Sequence, residues 1–131
     1  MQTRWLMGLS AVFMAVLGLV GSFLPAQTLA SIGVPTSTAP LVLVQVTGAL
    51  YLGFAILNWS ARGVMIGGIY ARPVALGNFL HFAVVAAMLL RAASHLVSPV
   101  AWALTVCYSI FAVWFAAVVF GNPLRGREDH Q

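Results

Sequence analysis

Few side chains in this sequence can carry chemistry, and their positions restrict what they can do. The only carboxylates are Glu128 and Asp129, at the very end of a 131-residue chain. Acid–base work by paired carboxylates is therefore closed, and so are oxygen-rich sites for hard cations. A serine hydrolase triad lacks its acid. The single cysteine, Cys107, has no histidine within its own helical turn and no second thiol for a disulfide or a metal cluster. Of the three histidines, His81 alone falls deep inside a long apolar run. It is the one plausible general base at that depth. A bis-histidine haem needs a second histidine at matching depth, which neither His95 nor His130 offers. A single axial ligand for a haem or a chlorin within a larger complex is the cofactor reading left for His81. The residues indicate no catalytic set and no metal site, and they leave the identity of any cofactor open.

Uncharged polar residues gather between Gln45 and Phe82. At 100° per residue Thr47, Tyr51, Asn58 and Arg62 fall within about 60° of one another on a helix, with Gln45 and Trp59 on a separate face. Further on, Gly77, Asn78, His81, Val85 and Met88 share a stripe, and His81 lies roughly 12 Å along the helix axis from its start. Two readings fit. In the first, Asn, Gln and His hydrogen-bond across helices as glue, while Arg62, Arg72, Tyr51 and Trp59 anchor helix ends at an interface. In the second, these residues build a small polar pocket. Arg62, Arg72, the Gly67-Gly68 pair and the free N–H groups of the following helix would hold an anionic head group. Gln45, Tyr51, Asn58, Asn78 and His81 would bind carbonyl or hydroxyl groups deeper inside.

The elements that position these residues follow from composition. The chain is 62% hydrophobic and 6% charged, with mean hydropathy +1.01, whereas soluble domains carry about 25% charged residues. Disorder is excluded by the same figures. A helix needs about 20 apolar residues to cross a ~30 Å hydrocarbon core. Four segments qualify, at about 5–24, 40–59, 73–93 and 99–120, and three of them open at or near a proline: Pro40, Pro73 and Pro99. The runs lack the alternation of a membrane β-barrel. The first is longer than a signal-peptide core and has no clean cleavage site after it. The expected fold is thus all-α: an integral membrane four-helix bundle forming a single transmembrane domain over 1–131.

All six basic residues are arginine. Arg4, Arg62, Arg72, Arg125 and Arg127 flank one side of the four spans and Arg91 alone the other, which predicts cytoplasmic termini by the positive-inside rule. The net charge of +4 then reflects topology. Nucleic acid is excluded as a partner, because no extramembrane part is large enough to carry a basic patch. The neutral first loop, Ala26 to Ala39, is expected to hold a short interfacial helix at about 27–32, and the loop from Ser94 to Ser98 is expected to be a tight turn.

Apolar burial does not pull helices together in lipid, so small residues that let backbones approach should mark the packed faces. Gly8, Ala11, Ala15, Gly18 and Ser22 form such a stripe in the first span, Gly48 and Ala55 in the second, and Thr105, Ser109, Ala112 and Ala116 in the fourth. Phe13, Leu17, Phe111 and Phe115 are then expected to face lipid.

The segments GALYLGFAILNW (Gly48 to Trp59) and IGGIYARP with LGNFLHF (Ile66 to Phe82), together with the length and four spans, resemble the small bacterial four-helix membrane proteins that include the DoxX-like group. That resemblance implies a bundle of this architecture and supplies no catalytic or ligand residues. Small multidrug exporters differ in carrying a glutamate in their first helix. The leading expectation is a multi-pass protein of the bacterial inner membrane without catalysis of its own. It would be a scaffold, an accessory subunit or a homo-oligomer, in contact with membrane lipids and with a protein partner or further copies. The alternative is a binding or transport module for a small lipid-soluble or anionic ligand, using a polar pocket between the second and third spans.

Overall fold

A computed structural model describes residues 2–63, 71–95 and 98–121. Its elements are α1 (Gln2–Phe23), α2 (Pro25–Ser31), α3 (Thr38–Ala61), α4 (Ala71–Arg91), a 3-10 turn (Ala93–His95) and α5 (Pro99–Phe120). There is no strand among the described residues. Helices α1, α3, α4 and α5 are each long and apolar enough to cross a membrane.

Local chemistry explains where these helices start and stop. Pro25 cannot continue the ladder of α1, so α1 ends at Phe23 and Pro25 opens α2, two residues earlier than the expected 27–32. After α2, Gly33 adopts φ 72, and the Gly33 and Val34 amides close on the Ala30 and Leu29 carbonyls at 3.1 and 3.0 Å. This left-handed exit turns the chain toward α3. Helices α3 and α4 each begin two residues before their expected starts, with Pro40 and Pro73 still in the first turn. Their missing N–H groups would have had no helical partner there. Past Arg91 the Ala92 amide still bonds to the Met88 carbonyl, and the His95 amide then reaches Ala92 at 2.9 Å. The helix thus tightens into the expected turn. Helix α5 has the expected bounds. The Gly67-Gly68 pair, Arg125, Arg127, Glu128, Asp129 and His130 lie outside the described residues.

The chain groups into two compact units, Met1–Gly63 and Val64–Gln131. In the first, α1 and α3 run antiparallel and α2 folds onto α3. Their closest approach is backbone on backbone. A Cβ added to Gly48 would lie 2.6 Å from both the amide nitrogen and the Oγ of Ser22, and 2.9 Å from the Gly18 carbonyl oxygen. A Cβ on Gly18 would lie 2.9 Å from the Gly48 carbonyl oxygen. Gly18, Gly48, Ala11 and Ala55 are buried, so these small residues mark the packed faces as expected, whereas Gly8, of the same expected stripe, is half-buried with open space beside it.

The second unit is built differently. Phe82 of α4 is fully buried and stacks on Phe115 of α5 with centroids 5.5 Å apart and planes 13° apart. It also stacks on Phe111 at 4.8 Å and 27°, and Tyr108 packs at 5.5 Å. Phe115, expected to face lipid, is instead fully buried, and Phe13, Leu17 and Phe111 are half-buried. Aromatic stacking with α4, for which Phe82 provides the central ring, draws Phe115 inward. Of the small stripe on α5, Thr105 is buried, while Ser109, Ala112 and Ala116 are half-buried beside the aromatic face.

Gly48→Ala is expected to lower the stability of detergent-solubilised protein by about 1–3 kcal/mol, as overpacking does, because the obstructing atoms include rigid backbone. Gly53→Ala, with nothing within 4 Å of the added Cβ, is expected to leave stability unchanged or slightly raised. Equilibrium unfolding of the pair in mixed micelles measures the difference, and equal effects would show that the Gly18–Gly48 crossing is not tight.

Candidate functional site

The seven candidate binding residues divide between the two units. Gln45, Tyr51, Asn58 and Arg62 belong to α3 and its C-terminal edge, and Arg72, Asn78 and His81 belong to α4. Gln45 is exposed, as is its neighbour Thr47, whose hydroxyl donates to its own helix at the Leu43 carbonyl. Tyr51 and Arg62 are half-buried, and Arg72 is exposed.

Asn58 is fully buried, and its Nδ2 donates to Ser10 Oγ of α1 at 3.1 Å. Ser10 Oγ in turn donates to the Met7 carbonyl at 3.0 Å. The two helices are thereby joined by a polar relay at one end and by the glycine crossing at the other. Asn78 is also fully buried, with Nδ2 donating to the Val74 carbonyl of its own helix at 2.8 Å. Thr105 and Ser109 bond back to the Ala101 and Thr105 carbonyls. Capturing a free lone pair of the preceding turn is how short polar side chains satisfy themselves in an apolar helix. His81 is half-buried and packs among rings, its centroid 5.4 Å from Phe82 and 5.8 Å from Tyr108. His95 is exposed and Cys107 half-buried.

Sequence reasoning passed over a groove in the first unit. A cavity of about 540 Å³ is lined by Arg4, Trp5, Gly8 and Leu9 of α1 and by Trp59 and Arg62 at the far end of α3, with Val12 at its inner limit. The Arg62 guanidinium carbon lies 3.4 Å from the centroid of the Trp59 ring, a cation–π contact. The signal was present in the sequence. Arg4-Trp5 opens one span and Trp59 followed by Arg62 closes the next, so antiparallel pairing brings both arginine–tryptophan pairs to one end. A second cavity of about 370 Å³ shares Val12 and Trp59 with the first and continues along Ala11, Ala15, Leu52 and Ile56. It is apolar throughout, apart from the Trp59 indole.

The Ser10–Asn58 bond is expected to contribute about 0.6 kcal/mol, and not much above ~1.7, the range for such bonds between membrane helices. A double-mutant cycle over Ser10→Ala and Asn58→Ala reads the coupling, and additive effects would show that the bond contributes nothing. No family model, curated protein or solved structure matches this chain, so its functional reading rests on its own residues and their geometry.

Proposed function

We propose that this chain is a multi-pass protein of a bacterial inner membrane, with both termini cytoplasmic. It works there without catalysis of its own, as a scaffold or accessory subunit packed against copies of itself or a protein partner. The observation that carries this reading is how the polar groups inside the spans are used. Asn58 joins two helices, and Asn78, Thr105 and Ser109 bond to the carbonyls of their own helices. A bond across a helix pair supports packing, and bonds within a helix satisfy short polar side chains in apolar surroundings. Both favour a structural role for these residues.

The outer faces fit the same role. Leu43, Leu50 and Ile56 on α3 are 66, 62 and 68% exposed, and Val113 on α5 is 71% exposed. An apolar face of that kind costs nothing in lipid and offers a surface for neighbouring transmembrane helices. Arginine placement supports the orientation, because basic residues flanking short loops are retained on the cytoplasmic side.

Two measurements test this proposal. Single cysteines placed at each terminus in a Cys107→Ala background are expected to resist a membrane-impermeant maleimide in spheroplasts and to react after permeabilisation. Termini labelled on opposite faces would overturn the topology. Cross-linking in intact membranes, followed by native mass spectrometry, is expected to show a defined assembly, either a homo-oligomer or a complex with one stoichiometric partner. A chain that stays monomeric and uncross-linked in its own membrane would overturn the scaffold role.

A further inference from the structure

We propose that the α1–α3 groove is a binding site for one anionic phospholipid. The phosphate sits between Arg4 and Arg62, and one acyl chain runs inward past Gly8 and Val12 to Ala15. The inference rests on the reading of the chain as a membrane protein and adds a ligand to it.

Charge supplies the first argument. Arg4 and Arg62 line the same cavity, and no described residue carries a carboxylate that could neutralise them. Two arginines lining one cleft favour an anion there over a neutral ligand. Stacking on Trp59 occupies a face of the Arg62 guanidinium and leaves its in-plane N–H donors available, which is the geometry that recognises phosphate. Trp5 and Trp59 are 67 and 49% exposed, and indole rings favour the level of the lipid head groups.

The second argument is shape and length. A free phosphate or a water-soluble anion would need only the arginine end. Here the cleft adjoins, through the shared walls Val12 and Trp59, a second, apolar cavity lined by Ala11, Ala15, Leu52 and Ile56. From Arg4 to Ala15 the furrow runs about 16 Å at 1.5 Å per residue. One leaflet of a ~30 Å hydrocarbon core is about 15 Å deep. The groove is thus charged at head-group level, apolar below it and one leaflet long, and an anionic phospholipid matches it in all three respects. With the arginine-rich end cytoplasmic, it would open to the leaflet facing that compartment.

Glycine at position 8 keeps the groove open. Gly8 lines it, and a Cβ built there meets no atom within 4 Å. An added Cβ therefore meets no packed atom, a longer side chain built on it is expected to extend into the groove, and replacing a helical glycine favours the helix.

Native mass spectrometry tests the site on full-length protein extracted in mild detergent. The probes are phosphatidylglycerol, phosphatidylcholine of the same acyl chains, and inorganic phosphate. Wild type is expected to retain one phosphatidylglycerol in preference to the other two. Arg4→Gln and Arg62→Gln are each expected to lower that retention about fivefold, while Arg91→Gln, at the C-terminal end of α4 and not part of the groove's lining, leaves it unchanged. Gly8→Leu, with both charges intact, is expected to abolish retention while the protein remains as thermally stable as wild type, which separates blockage of the groove from misfolding. Equal retention of phosphatidylcholine would overturn the proposal, as would full retention by Gly8→Leu or binding of phosphate alone. A dimer that excludes lipid and is lost in Gly8→Leu would assign the groove to a second copy and also overturn it. Termini labelled on opposite membrane faces would overturn the topology alone and leave these lipid measurements readable.

Discussion

Hydrocarbon offers no hydrogen bonds and no hydrophobic drive between helices. With four helices long and apolar enough to cross a membrane, most features of this chain follow from that constraint in the membrane setting proposed for it. Every backbone polar group inside the bilayer must find its partner within the protein, so each span is a helix. Most of the described polar side chains obey the same rule, Ser22 being an exception. Thr47, Asn78, Thr105 and Ser109 each bond to a carbonyl one turn back on their own helix. Ser10 and Asn58 satisfy each other across a helix pair. What holds the helices together is then close packing, and the two units achieve it by opposite means.

In the first unit the backbones touch. Gly18 and Gly48 remove the side chains that would separate them, and Ser22 closes against the space that results. The cost is a buried Ser22 hydroxyl with no hydrogen-bond partner, accepted where the gain in backbone contact exceeds the loss of one weak bond. In the second unit large rings fill the space between helices. Phe82 stacks on Phe111 and Phe115 of α5, and Phe79 meets Phe120 edge-on at 5.2 Å. Dispersion acts in lipid as in water, so both solutions answer the same requirement for contact without relying on water to impose it.

This difference accounts for what could and could not be read in the sequence. Span number and approximate limits followed from hydropathy and proline placement, because both depend only on local chain properties. The small stripe on α1 and its match on α3 were legible because glycine in a helix has few other uses. The role of Phe115 was not. A phenylalanine in an apolar helix suits lipid and protein equally by composition, and only the stacking partner Phe82 on another helix decides between them. The seven polar candidates were singled out by residue type and local spacing, which do not give their partners. Asn58 is spent on the Ser10 relay, a contact 48 residues away in sequence that no local pattern announces.

The same cost of polarity at depth confines recognition to the ends of the helices. Arg4 and Arg62 stand near the ends of two apolar helices, where a long side chain can reach past the apolar run. Deeper positions can contribute only shape. A site in such a chain must therefore combine a charged rim with an apolar furrow, and the groove from Arg4 and Arg62 to Ala15 and Leu52 has that form. His81 is the instructive contrast. It lies in the same helix as the buried Asn78, yet its described surroundings include the rings of Phe82 and Tyr108, and neither is a charged group. Selectivity in this fold is better placed where solvent and lipid head groups meet it, with the interior serving to hold that rim in position.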